Sequence, residues 1–228
     1  MRKGGVVMAT ISGLATSKHI ASNKTYDRQG NKPMFLTPHH MASKSTGASC
    51  ASYFANSSVE ASANYCIGYD GDISCCVPEE YGAWTSACAA NDRRAITFEC
   101  SDTAYGDWRI PAKTQEAFIK LCVDLIQRYP SLGGKMVYDP SDKARAQAAK
   151  NGTGSWSSLK GNVTLHKWFS ATGCPEWHME QILPNLCAEV NKRLAGGTAT
   201  VPTNSSSSSG GDSDILQQGS QGSAVKTL

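Results

Sequence analysis

The chain of 228 residues lacks any apolar run long enough to cross a membrane, so no span is expected. It has no C-x-x-C pair, which excludes the usual structural zinc finger or ribbon. Its net charge is only +3, and its Lys and Arg are scattered rather than gathered in a stripe, which argues against nucleic acid as a partner. It is also poor in histidine, with five, so the list of possible acid–base or metal-binding imidazoles is short. A good secretion signal is missing as well. "MRKGGVVMATISGLATSKHIAS" has basic residues at its start, but Gly5, Thr10, Ser12 and Gly13 break the apolar stretch. That segment reads better as an irregular arm or an edge strand, and synthesis in the cytoplasm is expected.

What is present is globular: 40 % hydrophobic and 18 % charged residues, in a length that allows one domain of ordinary size plus an appendage. The nine cysteines are odd in number and follow no small-scaffold spacing. A domain this large needs no disulfide staples, so most should be small buried hydrophobes in a reducing compartment.

The composition changes near residue 196. "GGTATVPTNSSSSSGGDSD" has almost no large side chains and reads as a flexible linker. The expected division is an arm over 1–29, a main domain over 30–196, a Gly/Ser-rich linker over 197–213, and the start of a further module over 214–228. Within the main domain, "KPMFLTPHH" reads as a strand, with Pro38 marking a strand end or a sheet edge. "KSTGASCASYFAN" reads as a short helix. Asp70-Gly71 between two apolar runs is a hairpin signal. "RRAITFEC" is a strand with Ile96 and Phe98 on one face and Thr97 and Glu99 on the other. Phe118, Leu121, Cys122, Leu125, Ile126 and Tyr129 form the stripe of an amphipathic helix over 114–129. Short strands are expected around Leu132–Val137 and at "NVTLH", flanking a polar insertion over 139–161. A last helix covers "EQILPNLCAEVNKRL", started or kinked by Pro184. Strands alternating with helices, with a hairpin among them, predict an α/β fold: a central mixed sheet flanked by helices.

The chemistry gathers around "NVTLHKWFSATGCPE". A catalytic zinc takes three protein ligands and keeps one position open. His166 and Cys174, at a strand end and in the loop beyond it, would supply two of them. The third must come from elsewhere, and "PHHMA", at the end of the first strong strand, is the natural source. Spacing alone leaves open that His166 and Cys174 are an unrelated core imidazole and buried thiol.

"HHMA", "SANYCIGYDGDI", "NDRRAITFE" and "LHKWFSATGCPE", in that order, resemble the zinc-dependent N-acetylmuramoyl-L-alanine amidases, a family that includes phage endolysins and peptidoglycan-recognition proteins. The resemblance covers about residues 30 to 195. "QQGSQGSAVKTL" resembles the start of a peptidoglycan-binding repeat, as in a modular phage or prophage endolysin or an autolysin. The resemblance implies zinc as cofactor, peptidoglycan as substrate and partner, and cell-wall lysis as outcome, by a protein taken to act as a monomer. It implies His39, rather than His40, as first metal ligand, with His166 second and Cys174 third. It implies Glu99 as the carboxylate that takes a proton from the attacking water and delivers it to the leaving amine. Thr172 stands where many members have Lys and would donate to the oxyanion. Trp84, Trp168 and Asn64 would line the glycan or peptide groove, although either Trp could equally be core. The sequence departs from the family pattern at Ala63, where some members have Tyr, at Thr85, where His is common, and at Glu176, where Gly follows Cys-Pro. Two other readings stand beside this one: a non-catalytic peptidoglycan-recognition module, and a Cys–His cell-wall peptidase.

Overall fold

A computed structural model describes residues 10–196. The expected linker and the start of the further module lie outside the described residues. Seven strands and five α-helices follow one another: β1 (Ser17–Lys18), β2 (Thr25–Asp27), β3 (Phe35–His40), α1 (Gly47–Ala55), β4 (Tyr65–Ile67), β5 (Ile73–Cys75), β6 (Tyr81–Ala83), α2 (Ala89–Asp92), β7 (Ala95–Cys100), α3 (Ala112–Arg128), α4 (Asp142–Lys150) and α5 (Glu176–Leu194). Five strands make one sheet in the order β1-β5-β4-β7-β3, and β2 and β6 pair separately. Only β4 and β5 pair antiparallel within the large sheet, around the expected hairpin. Gly71 turns that hairpin with φ 89°, a conformation that favours glycine. This is the expected mixed sheet flanked by helices.

Residues 10–29 are part of the sheet system. β1 extends it beyond β5, and β2 pairs with β6. At the other edge lies β3, where Pro38 has no partner strand to disappoint beyond β7.

Period-two alternation divides β7 and its neighbours into two faces. Ile96, Phe98 and Cys100 join Leu36, Tyr65 and Ile67 in a core covered by Phe118, Leu121, Leu125 and Ile126 of α3 and Met179, Leu183, Leu186 and Val190 of α5. The opposite face carries Thr37, His39, Thr97 and Glu99. α1 covers part of it, packing Ala51 and Phe54 on Cys66 and Cys76. Thr46 caps α1 by accepting from the Ser49 amide, and the Asp72 carboxylate accepts from the Gly47 and Ala48 amides at 2.7 and 3.0 Å. Gly68 permits this approach, since a Cβ there would fall 1.9 Å from the Asp72 carboxylate. All nine thiols are free, and eight are buried.

Two expectations need correction. Leu132–Val137 forms no strand, because side-chain amides occupy its backbone: Asn191 accepts from the Met136 amide and Asn162 from the Val137 amide, each at 2.8 Å. "NVTLH" contributes only an isolated bridge from Val163 to Leu36 before the chain tightens into a 3-10 turn at His166–Trp168. The polar insertion contains α4. Pro184 lies inside α5 rather than at its first turn.

Candidate active site

Parallel pairing of β3 with β7 sets His39 beside Glu99, and pairing of β7 with β4 sets Glu99 beside Cys66. Below this level the same face is a polar lattice. Thr37 and Thr164 hydroxyls meet at 2.7 Å, Thr164 donates to Asn91 at 2.9 Å, and Thr85 and Thr97 hydroxyls meet at 3.0 Å. The lattice anchors the chain leading to His166. Asp92 closes it, accepting from Ser86 and Thr85, and burial lifts its carboxyl to about 6.

His166 opens the 3-10 turn, and the Lys167 amide donates to the Cys174 carbonyl at 3.0 Å, so the turn and the Cys loop are tied together. The structure thereby gathers His39, His166 and Cys174 from three separate segments. All three are buried, and their ligand atoms lie within 4.8 Å of one another. Cys174 Sγ is 3.3 Å from His39 Nδ1, and the two imidazole rings are 4.9 Å apart. His39 Nε2 is buried without a hydrogen-bond partner. Burial, with His166 close by, holds His39 well below the usual imidazole range; burial, with His40 nearby, takes His166 down to about 4. Both rings are therefore neutral, as metal ligands must be. Burial and the neighbouring Glu99 push the Cys174 thiol well up. Two neutral imidazoles, a thiol and an orphaned buried nitrogen fit a small borderline-soft cation such as zinc.

Glu99 is buried on the floor of the same cleft, and no donor faces its carboxylate among the described residues. Burial, helped by Asp102, raises its pKa well above the usual carboxylate range. The cleft has a volume of about 1140 Å³ and takes in Thr172, whose hydroxyl oxygen accepts from the Cys174 amide at 3.2 Å. His40 also faces it, with Nδ1 3.2 Å from a carboxylate oxygen of buried Asp102. Glu176 lines it with a left-handed backbone, φ 63°, so the turn that favours Gly is kept with a carboxylate upon it.

The three residues expected in the groove lie elsewhere. Asn64 is 0 % exposed; its amide donates to the Val77 and Tyr81 carbonyls and accepts from the Thr97 amide, so it stitches β4 to β7. Trp168 is 4 % exposed and stacks on Tyr138 in the core. Trp84 packs on Tyr26 outside the cleft lining. The aromatic wall is instead made by Tyr53, Tyr105 and Trp108. The signal for the last two was "AYGDW", an aromatic pair around Gly-Asp in the loop directly after the Glu99 strand.

The family profile for N-acetylmuramoyl-L-alanine amidase matches residues 29–176, most of the described chain. Among solved structures, a mutant endolysin from Bacillus subtilis is 19 % identical, with 77 % of this chain and 99 % of that chain covered at a TM-score of 0.53. The Staphylococcus aureus hydrolase AmiA, solved with its ligand, is 20 % identical, with 80 % and 86 % covered at 0.53. AmpD, solved as a selenomethionine derivative, is 16 % identical, with 80 % and 99 % covered at 0.52. At these identities the likeness is one of fold. No curated protein sequence matches the chain. The chain belongs to the N-acetylmuramoyl-L-alanine amidase family.

Proposed function

We propose that this family member hydrolyses the amide between the lactyl group of N-acetylmuramic acid and L-alanine of the stem peptide, with a resident zinc ion. The observation that carries the reading is the convergence of His39, His166 and Cys174 beside an unpartnered, buried Glu99. Those three side chains would hold the ion. Bound there, zinc supplies a Lewis acid for the scissile carbonyl and lowers the pKa of water.

The rest of the chemistry belongs to the chain. His39 and His166 offer neutral nitrogens without losing a proton, and Cys174 gives one up on loading. Glu99, with no donor against it among the described residues, takes the proton of the attacking water. It then hands that proton to the alanine nitrogen as the amide breaks. The Thr172 oxygen accepts from a backbone amide, so its own O–H is left to donate to the developing oxyanion. The polar lattice beneath keeps β3, β7 and the His166 turn at fixed separation, which such geometry demands.

The Cys174–His39 contact is also what a thiol peptidase would need. Against that reading, a second imidazole completes a three-ligand set, and the thiol is pushed up rather than down. Biologically, we place the enzyme with wall-degrading endolysins of phage or prophage, made in the bacterial cytoplasm and acting on the wall; a cellular autolysin is the alternative.

The test is metal content together with amide release from purified peptidoglycan, before and after chelation and zinc add-back. The expected result is one zinc per chain, and new L-alanine amino termini that vanish on chelation and return with zinc. Zinc without release would leave a recognition module. Release that survives chelation but not thiol alkylation would favour the peptidase.

A further inference from the structure

Between β7 and α3 the chain runs through a loop, 101–111, that contributes little to the core and is nevertheless tightly built. The Thr103 amide donates to the Arg109 carbonyl at 2.7 Å, the Thr103 hydroxyl donates to Asp107, and Arg109 pairs with Asp107 at 2.9 Å. At its far end the Ile110 amide donates to His178 Nδ1 at 3.0 Å. This frame holds Trp108 in a left-handed conformation, φ 58°, which is unfavourable for a bulky side chain and marks a residue placed against its local preference. It also leaves Tyr105 82 % exposed.

The two rings do not point at random. Trp108 meets His40 edge to face at 4.9 Å, and Tyr105 meets Trp108 edge to face at 6.0 Å. All three line the cleft that holds the His–His–Cys cluster. A row of rings thus leads from the neighbour of His39 out to solvent.

We propose that Trp108 and Tyr105 are a platform for the sugar rings of the glycan strand. The muramoyl ring would rest on Trp108 and the next saccharide on Tyr105. The inference deepens the amidase reading and rests on it for the direction of the strand. Pyranose rings present flat faces of C–H groups that pack on aromatic rings, and their hydroxyl and N-acetyl groups need polar partners at the rim. Asp107 and Arg109 flank Trp108 and pair with each other at 2.9 Å, so a sugar hydroxyl would share them with that ion pair. Thr172 and Glu176 add polar groups to the same cleft.

The experiment uses the full chain and a peptide-free tetrasaccharide of alternating N-acetylglucosamine and N-acetylmuramic acid. Binding is followed by calorimetry and tryptophan fluorescence, with and without zinc. Tyr105→Ala should weaken tetrasaccharide binding about five- to tenfold, and Tyr105→Phe should restore it to within about twofold. With cleavable substrates, Tyr105→Ala should lower the ratio of kcat/KM for strand-borne over single-sugar muramoyl peptides by a similar factor, expressed in KM. An unchanged affinity and an unchanged ratio would overturn the platform, as would an equal loss in Tyr105→Phe. A wild-type chain that binds the tetrasaccharide through Tyr105 but cleaves no amide would keep the platform and remove the amidase reading. Cleavage with Tyr105→Ala indistinguishable from wild type would do the reverse.

Discussion

Glu79 and Glu99 are both buried carboxylates, 1 % and 7 % exposed, and their surroundings differ in kind. Glu79 lies against α3 and is saturated with donors. Arg128 grips both of its oxygens at 2.6 and 2.7 Å, Tyr129 donates at 2.6 Å, and the Tyr65 hydroxyl donates as well. Glu99 lies on the cleft face beside His39 and has no donor among the described residues. Burying a carboxylate costs free energy unless it is paired. The Glu79 charge is compensated within the fold. Glu99 is left uncompensated beside a cluster that fits a cation. The contrast teaches that burial alone does not mark a functional acid; burial without partners, next to candidate ligands, does.

The contrast can be broken most sharply at Glu99. Glu99→Gln should cost about 10²- to 10⁴-fold in turnover, while zinc content stays at one per chain and the melting temperature stays level or rises. Near-normal turnover would remove Glu99 from the chemistry. Glu79→Gln should do the opposite. It leaves Arg128 with Asp124 alone as counter-charge, and should cost about 3 kcal/mol in denaturant unfolding while kcat/KM survives at temperatures where the variant is folded. Loss of activity without loss of stability there would erase the distinction. Asn64→Ala should cost about 2 kcal/mol by orphaning the Thr97 amide and the Val77 carbonyl, with KM unmoved. A raised KM would return Asn64 to the groove.

The mildest perturbation is pH, applied to metal-free protein. His39 is held well below the ordinary imidazole range and His166 at about 4, whereas both titrate near 6.5 once unfolded. Between those values the unfolded chain binds protons that the folded chain refuses. The two rings should therefore withdraw stability as pH drops from about 6.5 toward 4, against the raised carboxyls of Asp92 and Glu99, and zinc should oppose the loss by binding only the folded form. The check is a urea-titration profile of His166→Asn beside the parent: the difference between the two should change across that window, and a constant difference would remove the imidazoles from the pH dependence.

Much of the fold was legible because periodicity and turn chemistry agree. The Phe118–Ile126 stripe, the Asp70-Gly71 hairpin and the alternation of Ile96, Thr97, Phe98 and Glu99 each specify an element by themselves. Leu132–Val137 misleads because its apolar residues suit a strand, while the Asn162 and Asn191 side chains that take its amides lie far along the chain. The full His39–His166–Cys174 cluster was legible only through family resemblance, since β3 and the Cys loop meet in space and not in sequence. Trp168 and Tyr105 invert the simple expectation about aromatics. Trp168 has the sequence position of a binding residue, two places after His166, and is core. Tyr105 has the sequence position of an incidental loop residue and lines the cleft.

β1 is only two residues long, yet it shields one side of β5. Ser17 and Ser74 hydroxyls meet at 2.9 Å, and the Thr16 and His19 amides donate to Ile73 and Cys75 carbonyls at 2.8 and 2.9 Å. The family match begins at residue 29, well after this strand. A fragment trimmed to that boundary would keep every cleft residue and lose the guard on its sheet, leaving β5 as a naked template for another copy. Such an enzyme would be undone by clumping rather than by chemistry.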